Sequence, residues 1–141
     1  MALPRDHRFP VDHHAAFPMG LVLVGEIGPD TEFQPDRTKP AHQRVDEVTG
    51  LRIWKATVMD PDERKAKRAS FELFFLAEVQ PVPAAAEVLP GMRPIELEGL
   101  TVQPKVMGQG EYKYQGFVYR ATGIKQTAAK RGAADMTGKA A

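Results

Sequence analysis

Between residues 51 and 79 the chain has little freedom in what it can fold into. Residues 51–59 and 69–79 both alternate side-chain character with a period of two, as β-strands do. The intervening Asp60-Pro61-Asp62-Glu63-Arg64-Lys65-Ala66-Lys67-Arg68 cannot pair as a central strand, because Pro61 has no amide donor and like charges repel. Two strands held by a charged connection make an antiparallel ribbon. In the second of them Phe71, Leu73, Phe75, Ala77 and Val79 form one apolar face, leaving Phe74 and Leu76 on the other as candidates for exposure. The first strand sets Leu51, Ile53, Lys55, Thr57 and Met59 against Arg52, Trp54, Ala56 and Val58, and neither face is cleanly apolar.

Other segments add strands to this ribbon. Residues 20–27 are continuously apolar apart from Gly25 and Glu26, as in a strand covered on both sides, and Gly25 falls where a bulge or bend is needed. Residues 95–102 alternate, with a phase change at Gly99. Residues 111–124 form a last strand whose phase changes at Gly116, and the turn Gly108-Gln109-Gly110 joins the two. Residues 33–44 read as a polar loop barred from regular structure by Pro35 and Pro40. Residues 80–94 carry Pro81, Pro83, Pro90 and Pro94; within them Ala84-Ala85-Ala86-Glu87-Val88 offers one helical turn, too short to stand alone.

These segments imply an all-β fold, a five-stranded OB-fold-like barrel over residues 19–125, with a seven-stranded sandwich as second choice. Residues 1–18, punctuated by Pro4, Pro10 and Pro18, read as a flexible N-terminal arm, and residues 126–141 as a disordered basic tail. At 141 residues this is one domain with two tails. The absence of cysteine excludes disulfides, thiolate metal sites and a thiol nucleophile. No apolar run approaches the roughly 18 residues of a membrane-spanning helix, and a signal-peptide core is missing, so a cytoplasmic protein without membrane contact is expected.

The net charge of +1 gives no global attraction to nucleic acid, so any such attraction must be regional. From Asp36 to Arg68 nine basic residues stand against six acidic ones. Arg37, Lys39, Arg52, Lys55, Arg64, Lys65, Lys67 and Arg68 are the candidates for phosphate contacts. Trp54 and Phe74, then Tyr112 and Tyr114, are the candidates for base stacking, the combination by which single strands are bound without reading base edges. The alternative for these rings is core. Ala56 and Val58 argue that Trp54 is buried, Arg52 that it is not, and Phe74 also suits a dimer interface.

Catalytic patterns are missing: there is no glycine-rich phosphate loop ending in Lys-Ser/Thr and no G-x-S-x-G elbow, so no enzyme and no cofactor are expected. Asp12, His13 and His14 offer metal donors, but adjacent side chains on an extended segment diverge and no further ligand pair is suitably spaced, so no metal is expected.

Val22-Leu23-Val24-Gly25-Glu26-Ile27-Gly28-Pro29-Asp30, Gly50-Leu51-Arg52-Ile53-Trp54-Lys55-Ala56, Ser70-Phe71-Glu72-Leu73-Phe74-Phe75 and Leu89-Pro90-Gly91-Met92-Arg93-Pro94-Ile95-Glu96-Leu97-Glu98-Gly99-Leu100 resemble, in order, the first four strand regions of bacterial single-stranded DNA-binding proteins. The chain departs from that family in its basic tail and in the proline-rich linker that replaces a helix. Both departures bring it closer to the helicase-processivity and single-strand-binding factors of integrative and conjugative elements, whose closing segment resembles Leu100-Thr101-Val102-Gln103-Pro104-Lys105-Val106. The resemblance implies a single-stranded DNA-binding protein of replication, conjugative transfer or recombination. It also implies a homo-oligomer and a helicase or transfer protein as partner; the residues themselves do not discriminate DNA from RNA as the ligand. A protein-binding adaptor using Phe74, Leu76 and the proline-rich linker is the alternative from another class.

Overall fold

The computed structural model describes residues 2–125. Its elements are β1 (Phe9–Pro10), α1 (His13–Ala16), β2 (Leu21–Pro29), β3 (Ile53–Met59), α2 (Ala66–Ala69), β4 (Ser70–Leu76), β5 (Met92–Ile95), β6 (Leu97–Glu98), β7 (Thr101–Met107), β8 (Tyr114–Ala121) and β9 (Gly123–Ile124). The fold is mostly β, as the alternating segments require. The predicted ribbon is the β3–β4 pair, in unbroken register from Ile53↔Leu76 to Met59↔Ser70.

The main sheet has seven strands in the order β1-β7-β8-β4-β3-β2-β5, and β6 and β9 form a separate pair. All pairings are antiparallel except β4–β8, which makes the sheet mixed. The hydrogen-bonded order is an open row, not the closed barrel expected, and the strands are more numerous than five. The reason is local to residues 92–107. Gly99, at φ +61°, breaks this stretch after β6, so β5 pairs with β2 while β7 pairs with β8, and β6 leaves the main sheet for β9. One continuous run of chain thus touches strands near both ends of the row. The other expected irregularity is also present: between Val24 and Gly28 the register of β2 on β3 shifts, with Gly25 at φ +79°.

The inner face of the sheet carries the core. Leu21, Leu23 and Ile27 of β2, Trp54, Ala56 and Val58 of β3, and Leu73 and Phe75 of β4 are buried with Ile95, Leu97, Leu100, Ala121 and Ile124. Each large side chain among them, moved from water to full burial, contributes about 1.5–3 kcal/mol. Two expectations for β4 change. The strand ends at Leu76, so Val79 is exposed rather than core, and Leu76 is buried opposite Ile53 rather than open.

The N-terminal segment is docked, not a free arm. Phe9 and Pro10 pair with Val102 and Thr101, the Val11 amide donates to the Leu100 carbonyl, and Asp12 caps α1 by accepting from the Ala15 amide. Phe17 then enters the core, stacked on Phe71 and tilted against Tyr119. The prolines punctuate this segment without preventing it from forming β1 and α1 or from burying a large aromatic side chain. Residues 84–88 form no helix, and the expected tail at 126–141 lies outside the described residues.

Candidate nucleic-acid interface

The outer face of the sheet is set by register. Lys55 of β3 lies opposite Phe74 of β4, and Phe74 lies beside Arg120 of the parallel β8. Arg120 faces Thr101, while Val118 and Gly116 face Gln103 and Lys105 of β7. Because side chains alternate along each strand, placing Trp54, Phe75 and Ala121 in the core turns Lys55, Phe74 and Arg120 outward together, and Val118, Gln103 and Lys105 follow from the β7–β8 register. Phe74 is half-buried, so its ring is held by its neighbours while remaining accessible.

Phe74, Lys105, Val118 and Arg120 line a depression with Asp30, Arg44 and Ile53, while Lys55 lies outside it, beside Glu26, Pro29 and Thr57. Ile53 and Val118 supply apolar wall around Phe74, and Arg44, Lys105 and Arg120 outnumber the single acid. Arg44 stands 3.8 Å from Asp30, a loose pair. Lys55, Lys105 and Arg120 make no ion pair among the described residues. Arg120 Nη1 donates to Gln103 Oε1 at 2.6 Å, which orients the guanidinium. Burial, and after it the nearby Arg8, pushes the Arg120 pKa below its ordinary value, with Asp46 opposing. The group stays protonated at neutral pH, as a half-buried cation with unused capacity for an anion.

The depression runs on into a second one, which shares Arg44, Ile53 and Arg120 and is walled by Arg8, Val45 and Val48 and by four acids, Asp6, Glu32, Asp46 and Glu47. Its far wall comes from residues 45–48, just beyond the segment read as a polar loop. Residues 30–53 fold back on themselves through the bridges Thr31↔Gln43 and Val45↔Arg52, and the Ile53 amide donates to the Arg44 carbonyl. Gln43 Nε2 adds a 2.9 Å bond to the Ile53 carbonyl.

The residues chosen from sequence divide into four groups. Lys55 and Phe74 are on the face itself, and Arg52 is exposed at its margin, where β3 begins. Arg37 and Lys39 are exposed at the end of the sheet where β2 stops, in a turn ordered by Asp36, whose Oδ1 accepts from the Thr38 amide and hydroxyl at 2.9 and 2.6 Å. Arg64, Lys65, Lys67 and Arg68 are exposed at the opposite end, around α2. Because β8 runs parallel to β4, Tyr112 and Tyr114 emerge at that same end, and both are exposed.

Trp54 is the exception. It lies on the inner face, 9% exposed, and its Nε1 donates to the Ala77 carbonyl at 2.9 Å, so it is a core residue and not a stacking platform. Its phase with Ala56 and Val58 carried that information.

Sequence reasoning left Lys105 and Arg120 out of the site. The signal for Arg120 was available, since Tyr119 and Ala121 inward require Arg120 outward. Lys105 had none, because Pro104 obscured how far its strand continued. Among the described residues no group of three or more His, Asp or Glu side chains is placed to hold a metal, and no helix is long and apolar enough to cross a membrane. Comparison with known proteins gives no matching family model, no matching curated protein and no matching solved structure.

Proposed function

We propose that this protein is a non-enzymatic single-stranded nucleic-acid-binding module of OB type, with DNA as its ligand and little sequence preference, serving replication, conjugative transfer or recombination. One observation carries the reading: Phe74 lies between Lys55 and Arg120 on three neighbouring strands, with Lys105 beside them and none of the three cations ion-paired. A ring face flanked by free cations suits a base and its phosphates, and it lies between two sets of exposed basic residues at opposite ends of the strands. The OB assignment is supported by the order of the long strands, β2-β3-β4-β8-β7, by the parallel β4–β8 pair, and by the run 92–107 that contacts both β2 and β8. The resemblance of the strand segments to bacterial single-stranded DNA-binding proteins points the same way.

Fluorescence-anisotropy titration with a labelled oligonucleotide of about 30 nucleotides and with its duplex, at two salt concentrations, tests the proposal. Salt-sensitive binding that prefers the single strand is expected; no binding at micromolar protein in low salt excludes it. A second reading rests on a different surface. Val79, Val82, Val88 and Leu89 are exposed along the proline-rich linker, as a protein-binding adaptor requires, although Leu76 is buried and no longer contributes to that surface.

A further inference from the structure

We propose that the N-terminal segment is a strap that holds the nucleic-acid groove in shape, with Arg8 and Asp46 as its positioning residues. The inference rests on the groove described above and concerns how its far wall is built.

Arg8 forks onto Asp46 across 38 residues of chain, Nη1 on Oδ2 at 2.9 Å and Nη2 on Oδ1 at 2.6 Å. The same carboxylate accepts from the Thr49 amide at 3.0 Å and the Thr49 hydroxyl at 2.8 Å. The Asp46 main chain closes the turn, its carbonyl accepting from the Gly50 amide and its amide donating to the Leu51 carbonyl. Asp46 is 4% exposed and Arg8 18%. These bonds hold the Asp46 pKa well below the ordinary carboxylate range, the Arg8 fork being the largest cause.

Asp46 therefore offers the groove little free negative charge and Arg8 little free positive charge. Each satisfies the other. What the pair supplies is position: it ties the 45–52 turn to a segment that is itself held to β7 through Phe9 and Pro10. The turn leads back to Arg44, whose carbonyl accepts from the Ile53 amide, and Arg44, Ile53 and Arg120 line the place where the two depressions meet. A wall set in advance spares the ligand the ordering cost of a mobile hairpin.

Position and charge predict opposite signs, which makes the proposal testable. Removing an acid from the rim of an anion-binding groove strengthens binding if charge alone counts, and frees Arg8 as an added cation. If Asp46 acts by position, Asp46→Asn weakens binding. The experiment is the single-strand anisotropy titration over a salt series with the full chain, on wild type, Asp46→Asn, Arg8→Ala and Arg8→Lys, each checked for folding by circular dichroism.

Affinity is expected to fall at least about fivefold in Asp46→Asn and in Arg8→Ala, with the salt slope retained, because no phosphate contact is lost. Arg8→Lys keeps the charge but not the planar fork, and is expected to weaken binding as well. Tighter binding by Asp46→Asn overturns the strap, as does an Arg8→Ala slope reduced by about one phosphate contact, which makes Arg8 a direct ligand. If Asp46→Asn does not fold, Arg8→Lys decides: unchanged affinity overturns the proposal. Failure of wild type to bind single strands removes the groove itself and is distinct from all of these.

Discussion

The Trp54 indole nitrogen donates to the main-chain carbonyl of Ala77 at 2.9 Å, tying the core of β3 to the chain just beyond β4. The bond satisfies the one polar atom of a side chain otherwise surrounded by apolar neighbours. Trp54→Phe keeps a ring but loses the bond and leaves a small void. Stability is expected to fall by about 1–3 kcal/mol in urea denaturation, with single-strand affinity within about twofold of wild type. A large loss of affinity without a loss of stability would return Trp54 to the binding surface.

Phe74 is expected to behave in the opposite way. Phe74→Ala removes the stacking face, and affinity should fall by about 1–3 kcal/mol, roughly 5- to 150-fold, while the salt slope holds. Lys105→Ala should instead lower the salt slope by about one contact with a smaller loss of affinity at high salt. Titration of both variants over a salt series separates a stacking ring from a phosphate contact; matching behaviour of the two would contradict the division of roles.

Much of the fold was legible because β-strands announce themselves by alternation. The β3–β4 ribbon, the irregularities at Gly25 and Gly99 and the turn at Gly108-Gln109-Gly110 all follow from local pattern. What local pattern does not carry is the pairing of distant segments. Nothing in residues 1–18 reveals that Phe17 fills a gap between Phe71 and Tyr119, or that Arg8 reaches Asp46, because these contacts depend on partners about 40 to 100 residues away. The site followed the same division. Lys55 and Phe74 were found from their ribbon, whereas Arg120 and Lys105 join them only through the parallel β4–β8 pairing and the β7–β8 hairpin.

His13 makes the stability of the docked segment depend on pH. It is 4% exposed and its Nδ1 accepts from the Leu97 amide at 3.3 Å, so the native ring is neutral at that nitrogen. Burial, then His14, lowers its pKa below 6.5; Lys125 lowers it further, and Glu96 and Asp12 oppose. A depressed folded value means that the unfolded chain takes up the proton first. The contribution of His13 is therefore complete above pH 6.5 and is lost as pH falls from there through the folded value. The melting temperature of wild type is expected to drop as pH falls below about 6.5. In His13→Gln that drop should be smaller, the difference between the two isolating His13 from the His14–Glu96 pair. Parallel profiles would contradict this.

Gly99 sits at φ +61°, and a Cβ there would collide with the Thr122 side chain, whose hydroxyl donates to the Glu98 carbonyl at 3.1 Å. Gly99→Ala is expected to cost about 2 kcal/mol or more, from the left-handed backbone and the collision together. Adding Thr122→Ala should recover only the part due to collision. Urea denaturation of the two single variants and the double variant measures each share; full recovery would mean that the backbone angle costs nothing.

The most direct test of the central claim is amide chemical-shift mapping of the protein with and without a short oligothymidylate, about 8–10 nucleotides, within the site size of one OB fold. The largest changes are expected at Lys55, Phe74, Val118 and Arg120, with smaller ones at the exposed basic turns. Changes confined to the proline-rich linker, or none at saturating oligonucleotide, would contradict single-strand binding on this face.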